Sequence, residues 1–180
     1  MRNPFLIAEK VYLRPLEVAD AAVVTPWFND PDVTRFLLRH QPMSLHAEEE
    51  FLRRIPVNEN DIVLGIALKE TDALIGTAGL HPEYRCRSAR FGITLGDKST
   101  WDKGYGTTVT LLMVNYAFET LNMNRVWLHV YEYNPRGQHV YEKVGFRVEG
   151  RLRQETYRDG RYWDVITMGL LREEWQAAKS

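Results

Sequence analysis

This 180-residue sequence lacks disulfide-forming cysteines and an excess of either charge. It holds one cysteine, Cys86, and 23 Lys and Arg residues against 24 Asp and Glu residues. A single cysteine cannot close a disulfide within the chain. The formal net charge of -1 removes the long-range positive field on which nonspecific binding to nucleic acids and anionic membranes depends. We therefore expect no nucleic-acid partner and no membrane partner.

Long apolar runs and linker segments are also missing. No stretch approaches the roughly 18 consecutive apolar residues of a membrane span, and the apolar run 5–8 is too short for a secretory signal. Internal repeats and Gly-, Pro- or Ser-rich linkers are absent. At roughly 100–200 residues per domain, these features predict one cytoplasmic domain covering 1–180. The histidines and Cys86 show no metal-ligand spacing, so no metal is expected.

The patterns that are present alternate irregularly between strand and helix. Three apolar strands follow the N-terminal helical stretches, and a long amphipathic stretch separates them from the next strand. This order predicts an α+β fold whose sheet is antiparallel at first and gains a parallel pair across the long helix. The predicted strands are 10–16, 61–68, 73–80, 89–95, 125–131, 146–157 and 162–170. The predicted helices are 17–28, 44–54, 107–121 and 134–144, with a short helical stretch at 31–38 and a short closing helix through Trp175.

The segment 101–108, W-D-K-G-Y-G-T-T, lies between a predicted strand and the long helix. Gly104 and Gly106 can adopt backbone angles closed to other residues and so leave consecutive N–H groups free, while the helix start adds partial positive charge. This turn predicts a phosphate or pyrophosphate site, to which Lys103 would add charge. Val109 replaces the third glycine of a dinucleotide fingerprint, and no G-x-x-x-x-G-K-[ST] phosphate loop is present. A glycine turn that only joins strand to helix is the alternative.

Four ordered segments carry a more specific resemblance. They are D-K-x-x-W-x-K-G-Y-G-T at 97–107, A-F-x-T-L-N at 117–122, R-V-x-L-x-V-Y-x-x-N at 125–134 and Y-E-K-x-G-F-x-x-E-G at 141–150. Together they resemble the GNAT superfamily of acetyl-CoA-dependent N-acetyltransferases. The tail 157–171 is similar to the branch that holds ribosomal-protein N-terminal (Rim-type) and spermidine acetyltransferases.

The resemblance implies a GNAT-like mixed sheet of about seven strands, flanked by about four helices and splayed open between 91–95 and 125–131. Acetyl-CoA would lie in that opening, with its pantetheine arm along one strand and its pyrophosphate at the glycine turn. Trp101 stands where the superfamily usually has Gln or Arg, and Asp102 places a carboxylate beside the expected pyrophosphate. The implied cofactor-binding residues are Ile93, Thr94, Leu95, Trp101, Lys103, Gly104, Tyr105, Gly106, Thr107 and Asn134.

The resemblance also implies direct acetyl transfer to a primary amine in a ternary complex. Tyr141 would lie near the thioester sulfur and act as general acid, because a phenol of pKa near 10 can donate to a thiolate whose thiol has a pKa near 8.5. Only a lysine-like amine, with a pKa of about 10.4, strongly requires a base. The candidates are His81, Glu83, His129 and Glu132, of which Glu83 is taken forward as a base or a substrate contact.

The acceptor stays open between a protein N-terminus, a polyamine and a small-molecule amine. A homodimer is expected by analogy alone. The alternative function is a catalytically silent module or sensor that binds acyl-CoA without turnover. Thiol release separates the two functions, since a sensor binds acetyl-CoA and releases no thiol.

Overall fold

The computed structural model describes residues 1–37, 41–55 and 61–179. No helix in these ranges is long and apolar enough to span a membrane. The strands are β1 (Leu6–Ile7), β2 (Val11–Pro15), β3 (Ile62–Leu68), β4 (Leu74–Glu83), β5 (Ser88–Leu95), β6 (Arg125–Tyr131), β7 (Arg147–Arg158) and β8 (Arg161–Leu171). The helices are α1 (Ala21–Trp27), α2 (Pro31–Thr34), α3 (Leu45–Arg54), α4 (Tyr105–Glu119), α5 (Pro135–Val144) and α6 (Arg172–Ala177).

All eight strands form one sheet in the order β1-β2-β3-β4-β5-β6-β8-β7. The α+β class is confirmed, and the described ranges contain one strand more than the predicted seven. The additional strand is β1, whose two residues pair with Leu13 and Tyr12 and are too few to show an alternating pattern. The described ranges contain six α-helices where the resemblance implied about four, and the short α2 and α6 correspond to the short helical stretches expected at 31–38 and through Trp175.

The sheet splays between its only two parallel neighbours in the described chain, β5 and β6. They pair from Ser88 with Arg125 to Arg90 with Trp127 and no further. β4 nevertheless stays paired with β5 up to Leu95, and β8 stays paired with β6 up to Tyr131. Both strands therefore continue past their last common pair, and the predicted opening between them is confirmed.

Helices cover the two faces of the sheet in different ways. On one face α4 buries an apolar stripe that includes Val109, Met113 and Phe118, each fully removed from solvent. On the other face α1 and α3 pack a smaller cluster around Ala21 and Leu52. Because side chains alternate along a strand, the face opposite α4 receives every second residue of β5 and β6.

A buried ion pair fixes the start of α1 to β2. Arg14 donates to both carboxylate oxygens of Asp20, each at 2.8 Å, and the N–H of Glu17 donates to the same carboxylate. Burial acts to raise the pKa of Asp20, but the hydrogen bonds from Arg14 and Glu17 outweigh it, and the pKa lies below its usual value. The ionised carboxylate is thus the form that the fold stabilises.

Candidate active site

A cavity of about 540 Å³ fills the gap where β5 and β6 part. Its two halves are lined by different elements. The donor half is formed by Ile93, Thr94, Leu95, Trp101, Gly104, Tyr105, Gly106, Thr107, Asn134, Gly137 and Tyr141. The acceptor half is formed by Phe28, Val33, Phe36, Leu37, Phe51, Gly79, His81, Arg90, Gly92, His129, Tyr131 and Glu155.

The backbone of β5 offers alternate groups to the cavity. Gly96 donates to Ile75, and in the antiparallel register these two residues stand opposite each other, one step beyond Gly76 and Leu95. Hydrogen-bonded pairs alternate along such a ladder, so Ile93 and Leu95 turn their N–H and C=O groups away from β4 and toward the gap. The backbone of Thr94 belongs to the ladder with β4, which leaves its side chain as the part that lines the cavity.

The glycine turn forms an N-terminus with free amides. Gly104 adopts φ +82° as the N-cap of α4, a conformation that favours glycine. The first backbone bond of the helix runs from Thr108 to Gly104. Among the described residues, the N–H groups of Tyr105, Gly106 and Thr107 have no acceptor, so they form an anion site at the positive end of the helix. The helix begins two residues earlier than predicted, and this places Tyr105 and Gly106 in its first turn.

Trp101 and Asp102 are both held by neighbours in the donor half. The indole Nε1 of Trp101 donates to the carbonyl of Leu95 at 2.8 Å, so that carbonyl is already used at the end of β5. Arg136 lies over the Trp101 ring at 4.4 Å and reaches the carboxylate of Asp102 at 3.3 Å. The carboxylate expected to oppose a pyrophosphate therefore has a cation beside it.

Asn134 caps α5 through a close fit with Gly137. Its Oδ1 accepts from the N–H of Gly137 at 3.0 Å, as the sequence predicts for an N-cap. A Cβ at Gly137 would stand 2.6 Å from the Asn134 Nδ2, so only glycine leaves room for this side-chain position. In the described chain Nδ2 has no acceptor, and it remains available to a ligand in the cavity.

Tyr141 lies on α5 among aromatic rings. Its ring meets Phe91 and Phe146 edge to face at 6.4 Å and 6.0 Å. Its hydroxyl makes no hydrogen bond within the described ranges. Burial raises the pKa of Tyr141 to about 12, which keeps the phenol protonated at any physiological pH.

One imidazole in the acceptor half is oriented by a carboxylate. The Nδ1 of His81 lies 2.5 Å from the Asp61 carboxylate. Its Nε2 lies next to Gly79, where a Cβ built on that residue would be 3.6 Å from Nε2. Gly79 stands opposite Gly92 in the register of β4 and β5. A Cβ at Gly92 would meet no atom within 4 Å. The two glycines thus form an open floor between the imidazole and the gap.

Glu83 and Glu132 have other surroundings. Glu83 is exposed at the end of β4 and accepts from the N–H of Arg85, outside the cavity. Glu132 pairs with Arg151, also outside. Glu83 therefore contacts neither the gap nor its glycine floor. It stands opposite Ser88, in the part of β5 that is still paired with β6, and the gap opens farther along β5.

Most of the predicted binding residues meet in one place. Ile93, Thr94, Leu95, Trp101, Gly104, Tyr105, Gly106, Thr107, Asn134 and Tyr141 all line the cavity. Lys103 does not: it borders a separate small pocket beside Glu9 and Lys10. Sequence reasoning missed Arg90, Arg136 and Glu155, since isolated charged residues on strands and helices carry no motif. Within the described residues, no group of three or more His, Cys, Asp or Glu side chains is arranged to hold a metal ion.

A splayed parallel pair beside a helix N-terminus with free amides is the arrangement that the sequence resemblance implied for an acyl-CoA-dependent acyltransferase. The family model described as an acetyltransferase (GNAT) domain matches residues 10–147. The chain belongs to this family, as the sequence motifs predicted, and it transfers an acetyl group from acetyl-CoA to an amine.

Three matches, all to spermidine N-acetyltransferase from Vibrio cholerae, cover more than 90% of the chain. The spermidine N(1)-acetyltransferase of Vibrio cholerae is 30% identical, over 91% of this chain and 94% of that protein. A crystal structure of spermidine N-acetyltransferase from Vibrio cholerae with CoA and spermine superposes with a TM-score of 0.86 at 28% identity, covering 93% of this chain and 98% of that one. A dodecameric structure of that enzyme matches with a TM-score of 0.81 at 27% identity, covering 95% and 99%.

Proposed function

We propose that this acetyltransferase works by direct attack of a bound amine, with His81 as general base and Tyr141 as hydrogen-bond donor to the leaving sulfur. The observation that supports it most strongly is the His81 imidazole, held by Asp61 on one nitrogen while the other faces the glycine floor. A base must lie within reach of the proton that it removes. The open floor leaves room for an amine at that place.

The residues of the donor half suit acetyl-CoA, which supplies the acetyl group as a thioester. The amides of Tyr105, Gly106 and Thr107 would hold its pyrophosphate. The backbone of Ile93 would pair with the pantetheine arm as an added strand does, through bonds that do not depend on side chains. Asn134 Nδ2 would donate to the same arm. With these contacts, the thioester would lie near the last common pair of β5 and β6, beside the glycine floor.

His81 fits the role of base because Asp61 fixes its tautomer. With Nδ1–H directed at the carboxylate, Nε2 is left as the acceptor. It takes the proton that the amine loses as the new C–N bond forms and the C–S bond breaks. Asp61 acts through His81 and is a positioning residue.

Tyr141 is better suited to donate a hydrogen bond to the leaving sulfur than to transfer its proton completely. Moving its proton to a thiolate whose thiol has a pKa near 8.5 costs about 5 kcal/mol when the phenol has a pKa of about 12. A hydrogen bond to the sulfur stabilises the developing negative charge without that transfer. The thiolate then gains its proton from solvent.

Two variants on one strand test the assignment of the base. His81→Gln keeps polar bulk and removes the base, and we expect it to lower kcat/KM by about 100-fold or more while calorimetry finds acetyl-CoA binding unchanged. Glu83→Gln, two residues away and outside the cavity, is the matched control and should keep full activity. The opposite pattern would return the role to Glu83. Acetyl-CoA binding without thiol release across peptides, polyamines and amino acids would instead support the sensor.

We also propose that copies of the chain self-associate through β7. This strand is an edge of the sheet and exposes Val148 and Leu152. Edge strands present unpaired backbone groups that a second chain can pair with. Light scattering of the purified protein distinguishes a dimer from a monomer and from a larger assembly.

We propose the cytoplasm as the place of action. The thiol of Cys86 is exposed and unpaired. Free surface cysteines persist where the compartment is reducing. Trapping of free thiols in cell fractions, followed by mass spectrometry of Cys86, tests this location.

A further inference from the structure

The acceptor half has an apolar wall that is braced from behind. Phe28, Phe36 and Phe51 approach the cavity from the α1 to α3 segment, and Tyr131 approaches from β6. Tyr133 stacks on Tyr131 with ring centroids 4.9 Å apart and donates its hydroxyl to the carbonyl of Arg35 at 2.9 Å. The brace joins the α2 segment to the end of β6, so the wall is preorganised to receive an apolar group.

Arg90 is the cation of this half without a charged partner. In the described ranges it forms no ion pair and no hydrogen bond, whereas Arg136 in the donor half is paired with Asp102. Arg90 stands opposite His81 in the register of β4 and β5 and opposite Trp127 in the register of β5 and β6. Its positive charge adds to burial in lowering the pKa of His129, while Glu155 acts in the opposite direction.

The position of Arg90 suits a carboxylate that sits close to an amine. A guanidinium binds a carboxylate through two parallel hydrogen bonds. Residues directly opposite in an antiparallel pair have side chains that start about 5 Å apart, so Arg90 and His81 can reach two groups on one small molecule. An α-amino acid has its carboxylate and amine on the same carbon, and its side chain can extend to the aromatic wall.

Polycations match these charges less well. The acceptor half offers one unpaired carboxylate, Glu155, among its described lining residues, and it offers the cation Arg90 as well. Among the described lining residues, the further ammonium groups of a polyamine would have only Glu155 as an unpaired carboxylate and would meet Arg90 as a like charge. A peptide N-terminus would bring an amide carbonyl, not a carboxylate, to Arg90.

We propose that the acceptor is a free α-amino acid with an aromatic or branched apolar side chain, whose carboxylate binds Arg90 and whose amine faces His81. This substrate class rests on the proposed function, because it takes the amine to His81. The assignment of Arg90 as the carboxylate contact can be measured by binding alone.

Calorimetry on the CoA-loaded protein compares L-phenylalanine, L-phenylalaninamide and spermidine. One charge-assisted contact predicts that the acid binds about 10- to 100-fold more tightly than the amide. Arg90→Gln should abolish that difference, and Arg90→Lys should keep part of it. Arg85→Gln removes a nearby exposed arginine outside the cavity and should leave the difference intact.

Equal affinity for the acid and the amide overturns the proposal, and so does tighter binding of spermidine. An Arg90→Gln variant that weakens acid and amide alike also overturns it, because Arg90 would then act through the fold. The comparison of acid with amide uses the unaltered protein and does not depend on any variant folding. Tighter binding of the acid without thiol release supports Arg90 as the carboxylate contact and contradicts the catalytic function. Thiol release with spermidine alone supports the catalytic function and contradicts Arg90 as the carboxylate contact.

Discussion

The fit between Gly137 and Asn134 makes Gly137→Ala a sharp probe of the donor half. The new methyl carbon would stand 2.6 Å from Nδ2, 3.0 Å from Cγ and 3.1 Å from Oδ1 of Asn134. These distances are shorter than van der Waals contact, so the amide of Asn134 must rotate away. Rotation breaks the cap bond to the Gly137 N–H and removes Nδ2 from its place at the cavity.

The expected effects on stability and on binding differ in size. Loss of an N-cap costs about 1 kcal/mol, and replacing a helical glycine by alanine returns up to about 1 kcal/mol. The free energy of unfolding should therefore change little. Acetyl-CoA loses the hydrogen bond that Asn134 Nδ2 would donate, worth about 0.5–1.5 kcal/mol, so its affinity should fall by about two- to tenfold.

Calorimetric titration with acetyl-CoA and urea unfolding measure the two quantities. Asn134→Ala should lower affinity by the same factor, and the double variant should bind no more weakly than Asn134→Ala alone, since both changes remove one contact. Gly150→Ala is the matched control, because a Cβ at Gly150 would meet nothing within 4 Å. Additive losses in the double variant, or unchanged affinity in Gly137→Ala, would refute the reasoning.

Two further predictions concern Tyr141 and Asp20. Tyr141→Phe should lower kcat and keep the affinity for acetyl-CoA. The raised pKa of about 12 keeps the Tyr141 hydroxyl protonated until the pH approaches that value. A fall in kcat of the wild type below pH 10 that is absent from the variant would therefore contradict the role. Asp20→Asn should cost about 3 kcal/mol in urea unfolding at pH 7, because it leaves Arg14 buried without its counter-ion. The pKa of Asp20 is lowered in the folded state, so its stabilisation is present above the unfolded pKa of about 3.9 and is lost as the pH falls through the folded value. A difference between the wild type and Asp20→Asn that stays constant from pH 7 to pH 3 would be inconsistent with this pair.

Local patterns predicted most elements because local interactions form them. β6 has its predicted bounds, Arg125–Tyr131, since its alternation reports one buried face. Asn134 and Gly145 mark the ends of α5 as expected, the latter with φ +107°, because caps satisfy backbone groups within a few residues. The splay between β5 and β6 was available only through family resemblance.

Sequence patterns alone could not choose among the candidate bases. Glu83 and His81 are two residues apart on one strand, and no local pattern distinguishes them. Their surroundings differ in the folded chain. Asp61, twenty residues before His81, contacts the imidazole, whereas the carboxylate of Glu83 accepts from the N–H of Arg85 in the turn that follows β4. Arg90 is similar, because its lack of a charged partner among the described residues follows from the positions of all its neighbours.

The sequence by itself determined the fold class, the family and the acyl donor, and it singled out the glycine turn proposed for the phosphates, because these depend on short runs in which neighbouring residues act together. Only the tertiary structure decided which side chains share the acceptor half. His81, Arg90 and Glu155 come from β4, β5 and β7, and their distances depend on strand register and on where the sheet opens. Chemistry assembled from separate strands leaves no periodic or contiguous signal, so the acceptor half had to be derived from the folded chain.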